Sequence, residues 1–335
     1  MKLRILTEQD VRSLLTMSEA IDIQADAFRV LAEKRSVEGL RSVAHSEDPP
    51  GIAIFNPSFL KAGKGFGIKV VSDFYGNEKK GLARMTAILV LFDGNTGHPR
   101  TIMEAGHLTD LRTGALTGLA ARYLARKDAR TLALIGAGRV ARNQLEAIAE
   151  VCQLEKVWLS TRTEKRGLEF IERMSGAGGK VPRDIQLVDS REDAVGNADI
   201  VVAATTSRHP VFPGRALREG TFVVGAGANN PQGREVDSET IRRSSKWVID
   251  SKADCLADSG DFLIPIQEGF FREDQISEIA ELVDGRRQGR EAEQEITFFK
   301  SMGVPIQDLI TAQAIEKRAV ERDLGMFVEM GGDHD

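Results

Sequence analysis

The chain has 335 residues, 41% of them hydrophobic and 28% charged, with a net charge of −5. That is enough for two soluble domains of ordinary size. It carries no basic run or aromatic-and-basic stripe, which argues against nucleic acid as a partner. No apolar run approaches the ~18 residues of a membrane span. Cys152 and Cys255 lie in unrelated contexts and the N-terminal stretch lacks a signal-peptide pattern, so a reducing, cytoplasmic setting is expected. His45, His98, His107, His209 and His334 lack metal-ligand spacing, so no metal site is expected.

Thr16-x-x-Glu19 has the form of a capping box, and Ile23, Ala27, Val30 and Leu31 recur behind it at helical spacing. An amphipathic helix is therefore expected over residues 18–34. From about residue 51 to 103, "GIAIF", "FGIKVVSDF" and "RMTAILVLFD" read as antiparallel strands, with "DGNTG" at 93–97 as a tight turn. Thr109 is expected to cap a helix with Leu111, Ala115 and Leu119 on one face. This first part reads as α+β. From 131 the rhythm changes to strands alternating with helical or loop segments. "TLALI", "VWLS", "IQLV", "DIVVAAT", "TFVVGAG" and "KWVID" are the strands. That alternation predicts an α/β, Rossmann-type doubly wound parallel sheet. A last helix follows residue 305, and the tail "GGDHD" is expected to fray.

The sharpest local signal is Gly136-Ala137-Gly138-Arg139-Val140-Ala141, between the first of these strands and a helix carrying Ala141, Leu145, Ile148 and Cys152 on one face. Gly136 would allow the turn, Gly138 the approach of a pyrophosphate, and Ala141 close packing of helix on strand. Beyond the second strand an Asp or Glu would bind the ribose 2′-hydroxyl of NAD. Thr161 stands there instead, followed by Arg162, Thr163, Lys165 and Arg166. Lack of an acid and presence of cations favour NADP(H), with NAD(H) as the other possibility.

Three cations of the first part have small or apolar neighbours: Arg41 in "GLRSV", Lys69 in "GIKVV" and Arg112 in "LTDLRTGA". Taken singly, such residues are usually solvated or salt-bridged. Lys69, however, interrupts an apolar strand on the side facing a core or cavity, and a buried ammonium is costly unless paired. Arg112 would sit in a first helical turn, against the helix dipole. A ligand carboxylate between them would resolve both.

With these stretches and "GAGANNPQGREVD", "DSKADCLADSGDF" and "FKSMGVPIQDL", the chain resembles the ornithine cyclodeaminase/mu-crystallin family over nearly its whole length. The resemblance implies a homodimer. It implies a substrate-binding and dimerisation domain from residues 1–125 with 306–335, and a Rossmann domain from 126–305. It assigns Arg41, Lys69 and Arg112 to the substrate carboxylate. Gly136, Gly138, Arg139 and Val140 would meet the pyrophosphate, and Thr161, Arg162 and Thr163 the adenosine ribose. Ala204, Thr205 and Thr206 would pass the nicotinamide, near Ser301. In the cyclodeaminases an aspartate that engages the substrate amine stands where this chain has Asn229, which cannot take a proton from an ammonium. Arg84 stands where many relatives have a small hydroxyl residue, and would suit a second substrate carboxylate if it reached the site. Its alternative is a solvated outward strand position.

The expected activity is NAD(P)H-dependent reduction of a small 2-imino (ketimine) acid to the 2-amino acid. Lys69 would be the proton source or electrostatic partner, and Asn229 would hydrogen-bond the imine nitrogen. Candidate substrates are 1-pyrroline-2-carboxylate, 1-piperideine-2-carboxylate and iminosuccinate. Ornithine cyclodeaminase, an alanine dehydrogenase-like enzyme and a non-enzymatic NADPH-binding protein remain the alternatives.

Overall fold

The computed structural model describes residues 2–331; the tail, with His334, lies outside the described residues. Two compact units divide the chain. One comprises residues 1–112 with 304–335, the other residues 113–303.

The first unit begins with β1 (Lys2–Leu6), α1 (Glu8–Leu14) and α2 (Met17–Ala32). Reciprocal capping boxes at Thr7–Asp10 and Thr16–Glu19 start both helices. Then come β2 (Ser36–Glu38), β3 (Ser42–Glu47), β4 (Pro50–Leu60), β5 (Phe66–Phe74), β6 (Met85–Phe92) and β7 (Pro99–Glu104). The turn at 93–97 forms as the residue types require: Asp93 Oδ1 accepts from the amides of Asn95 and Thr96, and Gly97 takes a φ of 73°. β4, β5, β6 and β7 pair antiparallel. β1 extends this sheet parallel to β7, and the C-terminal strand Met326–Glu329 adds to β1 antiparallel.

Side-chain alternation divides the sheet. Lys69, Val71, Leu89, Leu91 and Met103 are buried on one face, where the helix Pro305–Glu321 packs over β4, β5 and β6 and α2 packs against that helix. The opposite face carries a cross-strand row of Pro57, Ile68, Val90, Ile102 and Ile5, with stacked Phe59, Phe66 and Phe92 beside it. None of these residues is fully buried.

Helix α3 (Gly106–Leu124) departs from expectation. It starts three residues before Thr109, because the Glu104 carboxylate accepts from the amides of Gly106 and His107 and so caps it early. Arg112 therefore lies in the second turn, beyond the strongest reach of the N-terminal dipole.

The second unit is a parallel sheet of β8 (Thr131–Ile135), β9 (Lys156–Ser160), β10 (Ile185–Leu187), β11 (Ile200–Ala203), β12 (Phe222–Gly225), β13 (Lys246–Ile249), β14 (Ser277–Glu278) and β15 (Thr297–Lys300). Its order is β10-β9-β8-β11-β12-β15-β13-β14, doubly wound from β8. β15 was not anticipated: it returns about 50 residues after β13 and inserts between β12 and β13. Four-residue strands such as β11 and β12 are wholly buried, which explains their unbroken apolar texture. Among the described residues no helix is long and apolar enough to cross a membrane.

Candidate active site

In the first unit, β5 projects Lys69 towards the Pro305–Glu321 helix, where it is 2% exposed. Its ammonium meets Asp308 Oδ2 at 2.7 Å and donates to Thr109 Oγ1 at 3.3 Å. Arg112, 7% exposed, donates from Nε to Asp308 Oδ1 at 3.0 Å and from a terminal nitrogen to Gln307 Oε1 at 3.4 Å. Gln307 is itself fixed, accepting from the Val304 amide and donating to Gln24, which donates to Thr311.

The carboxylate expected between Lys69 and Arg112 is thus supplied by the chain, as Asp308. This corrects the inference that their burial by itself calls for a ligand. Arg41 lies exposed just before β3, yet close enough for its charge to act on Lys69. Burial lowers the Lys69 pKa to about 8, with Arg112 and Arg41 adding to the fall and Asp308 opposing it. Lys69 and Arg112 thus share the Asp308 carboxylate, with Arg41 adding positive charge at longer range.

Arg84 is placed otherwise. It lies in the loop before β6, half exposed, and grips Asp73 with two donors at 2.7 and 3.0 Å while stacking on Tyr75. Its charge is already answered within the chain.

In the second unit the glycine turn has the required geometry. Gly136 has a φ of 115°, and a Cβ there would stand 2.3 Å from the Ala204 carbonyl oxygen. Gly138 precedes the helix α4 (Arg139–Val151) without a side-chain cap. A Cβ at Gly138 would meet no protein atom within 4 Å, so internal packing does not demand glycine there. What glycine leaves open is close approach of a ligand to the helix amides, the chemistry a pyrophosphate needs. Val140 lies in the first turn, and Ala141 is buried. Beyond β9, a groove of about 510 Å³ is lined by Ser160, Thr161, Arg162, Asp189 and Arg191 among others. Arg162 and Thr163 are exposed. The glycine turn and the open helix amides fit the pyrophosphate of a nicotinamide dinucleotide.

The loops after β11, β12 and β15 are tied by buried charges that sequence reasoning missed. Glu235, 0% exposed, accepts from the Thr205 amide (2.6 Å) and hydroxyl (2.7 Å) with one oxygen. Its other oxygen accepts from the amides of Gly227 (2.6 Å) and Ala228 (3.0 Å). Lys300 meets Asp261 at 3.0 Å and donates to the Ala228 carbonyl. Asp261 accepts from the amides of Glu235 and Val236. Asp250 accepts from the Ser301 hydroxyl and the amides of Met302 and Gly303. Thr205 and Ser301 therefore spend their hydroxyls on the chain itself. Ala204 is buried, while Thr206 and Asn229 are exposed. A signal for Lys300 was present: like Lys69, it continues an apolar strand, "ITFFK", and calls for an acid.

A doubly wound parallel sheet with a pyrophosphate-type glycine turn, accompanied by a separate α+β unit holding a buried cation cluster, defines a nicotinamide-dinucleotide enzyme class. More particularly, the chain belongs to the ornithine cyclodeaminase/mu-crystallin family, whose profile matches residues 1–323. A Delta(1)-pyrroline-2-carboxylate reductase of Bacillus cereus is 33% identical over 97% of this chain and 99% of the relative. The structure of Thermococcus litoralis Delta(1)-pyrroline-2-carboxylate reductase in complex with NADH and L-proline superposes with a TM-score of 0.90 at 40% identity, covering 97% of this chain and 99% of that one. An archaeal alanine dehydrogenase dimer with bound NAD gives a TM-score of 0.90 at 30% identity, covering 99% and 100%.

Proposed function

We propose that this protein reduces a small cyclic 2-imino acid, foremost 1-pyrroline-2-carboxylate, to the corresponding 2-amino acid at the expense of a nicotinamide dinucleotide. The buried Lys69–Arg112–Asp308 cluster carries the proposal, because it offers an acid group two fixed donors with excess positive charge. The relatives' names, and the NADH and L-proline in the Thermococcus complex, support the same chemistry.

The first unit, residues 1–125 with 306–335 in the expected division, would bind substrate, and residues 126–305 the dinucleotide. Arg112 and Arg41 would hold the carboxylate, with the Lys69 charge adding to the attraction, and orient the C=N group. A bound dinucleotide would supply the hydride to the imine carbon. Lys69 would give an Nζ proton to the nitrogen, becoming the neutral amine, and recover it from water. Asn229 would hydrogen-bond the nitrogen without requiring it to be charged. Because Asp73 holds Arg84, monocarboxylic substrates are favoured over iminosuccinate.

Thr161, Arg162 and Thr163 favour NADPH, with NADH also used, as the relatives' complexes with NADH and NAD suggest. The uncovered apolar row on the first unit's sheet supports a homodimer formed through that face.

The test is a spectrophotometric panel of 1-pyrroline-2-carboxylate, 1-piperideine-2-carboxylate, iminosuccinate and ammonia with keto acids, against NADPH and NADH. The expected result is stoichiometric oxidation of the cofactor by a cyclic imine. No turnover of any imine, or conversion of ornithine to proline and ammonia without net cofactor consumption, overturns the proposal.

A further inference from the structure

We infer that Asp308 is a positioning residue that keeps Lys69 in its ammonium form and aims one of its N–H bonds at the substrate. The inference rests on the proposed reading of Lys69 as proton donor and adds the group that makes it one.

Hydrogen-bond direction fixes the ammonium in place. Thr109 Oγ1 donates to the Ala105 carbonyl at 2.6 Å, so towards Lys69 it presents a lone pair. Asp308, as a carboxylate, also only accepts. Lys69 must therefore donate to both, and an ammonium has three N–H bonds. The third takes no acceptor among the described residues. Two fixed acceptors on two helices thus fix where it points.

Charge gives the second part. Lys69 shares its surroundings with Arg112 from α3 and Arg41 from the segment before β3. Without Asp308, a buried ammonium would face two guanidinium groups. The other acid near Asp308 is Glu38 on β2, which accepts from Ser58; burial, with a smaller push from Asp308, raises its pKa. Asp308 is itself held ionised: Arg112 and Lys69 overcome the cost of its burial and keep its pKa below the ordinary value. It is therefore the counter-charge that keeps the ammonium populated at neutral pH, as the Lys69 pKa of about 8 reflects.

The experiment compares pH profiles of kcat/KM for imine reduction in the parent, Asp308→Asn, Asp308→Glu and Lys69→Met proteins. Dinucleotide binding, read by fluorescence, serves as the check on folding. Reduction needs the protonated lysine, so activity falls as pH rises through the lysine's pKa. In Asp308→Asn this basic limb is expected to move at least one unit to lower pH. Activity above the parental limb then drops about tenfold or more, while activity below the new limb recovers towards the parent's.

Asp308→Glu keeps the charge and is expected to keep the limb near its parental pH at a reduced rate; if the Asn variant does not fold, this comparison decides. A uniform loss at all pH in Asp308→Asn with the limb unmoved, or a displaced limb in Asp308→Glu, overturns the inference. Lys69→Met separates the two readings. Parental rate and limb in Lys69→Met would remove Lys69 as donor and take the inference with it. Loss of the limb there, with an unmoved limb in Asp308→Asn, would remove Asp308 alone.

Discussion

Replacing Glu235 by Gln tests whether one buried carboxylate staples the loops after β11 and β12. In the parent, two oxygens receive four hydrogen bonds, three from backbone amides and one from the Thr205 hydroxyl. An amide side chain keeps one oxygen and turns an NH2 group towards the other pair of donors. Either the Thr205 pair or the Gly227–Ala228 pair is then left without an acceptor. The Thr205 hydroxyl can rotate to another partner, but the backbone amides cannot. The cheaper orientation turns the NH2 to the Thr205 pair and orphans one buried amide, which costs ~1–3 kcal/mol even before the lost charge beside Lys300 is counted. For a unit of roughly 190 residues, each kcal/mol moves the melting midpoint by ~2–4 °C. Differential scanning calorimetry of Glu235→Gln should show a transition roughly 2–12 °C below the parent's. Dinucleotide affinity should weaken as well, because Thr205 and Ala228 belong to the loops at the carboxyl ends of β11 and β12. A transition within about 1 °C of the parent's, with unchanged affinity, would show that these hydrogen bonds do not hold the loops.

Three further outcomes follow from the same geometry. Arg162→Ser should lower the ratio of kcat/KM for NADPH over NADH by roughly ten- to a hundredfold, since a charge-assisted phosphate contact is worth ~1.5–3 kcal/mol; an unchanged ratio removes Arg162 from cofactor selection. Ile88→Glu, on the uncovered sheet face, should convert a dimer to a monomer in light scattering, and an unaltered mass rules that face out as the interface. Glu19, gripped by Arg318 and the Thr16 amide, has its pKa lowered to about 2. Its contribution is present above pH 4.5 and lost as pH falls towards 2. Solvent screening keeps that contribution to about 1 kcal/mol. Glu19→Gln should therefore lower the melting midpoint at pH 7 and converge with the parent near pH 2; a constant difference across that range contradicts the assignment.

Local chemistry by itself determined much of this protein. Thr16-x-x-Glu19 announced a helix start, Asp93 to Gly97 a turn, and the strand–glycine–helix run at 131–151 a dinucleotide fold, because capping, turn and periodicity signals act over a few residues. Lys69 was conspicuous for the same reason, a cation where alternation demands an apolar side chain. Its partner was not: Asp308 reads as an ordinary polar residue of "VPIQDL", and only the packing of that helix over β5 brings the two within 2.7 Å. The grip of Asp73 on Arg84, and the meeting of Glu235, Asp261 and Lys300, were likewise decided in three dimensions. Each joins residues whose separation along the chain is set by how strands and helices cross, while a single sequence records residue type and spacing but not which buried charge faces which.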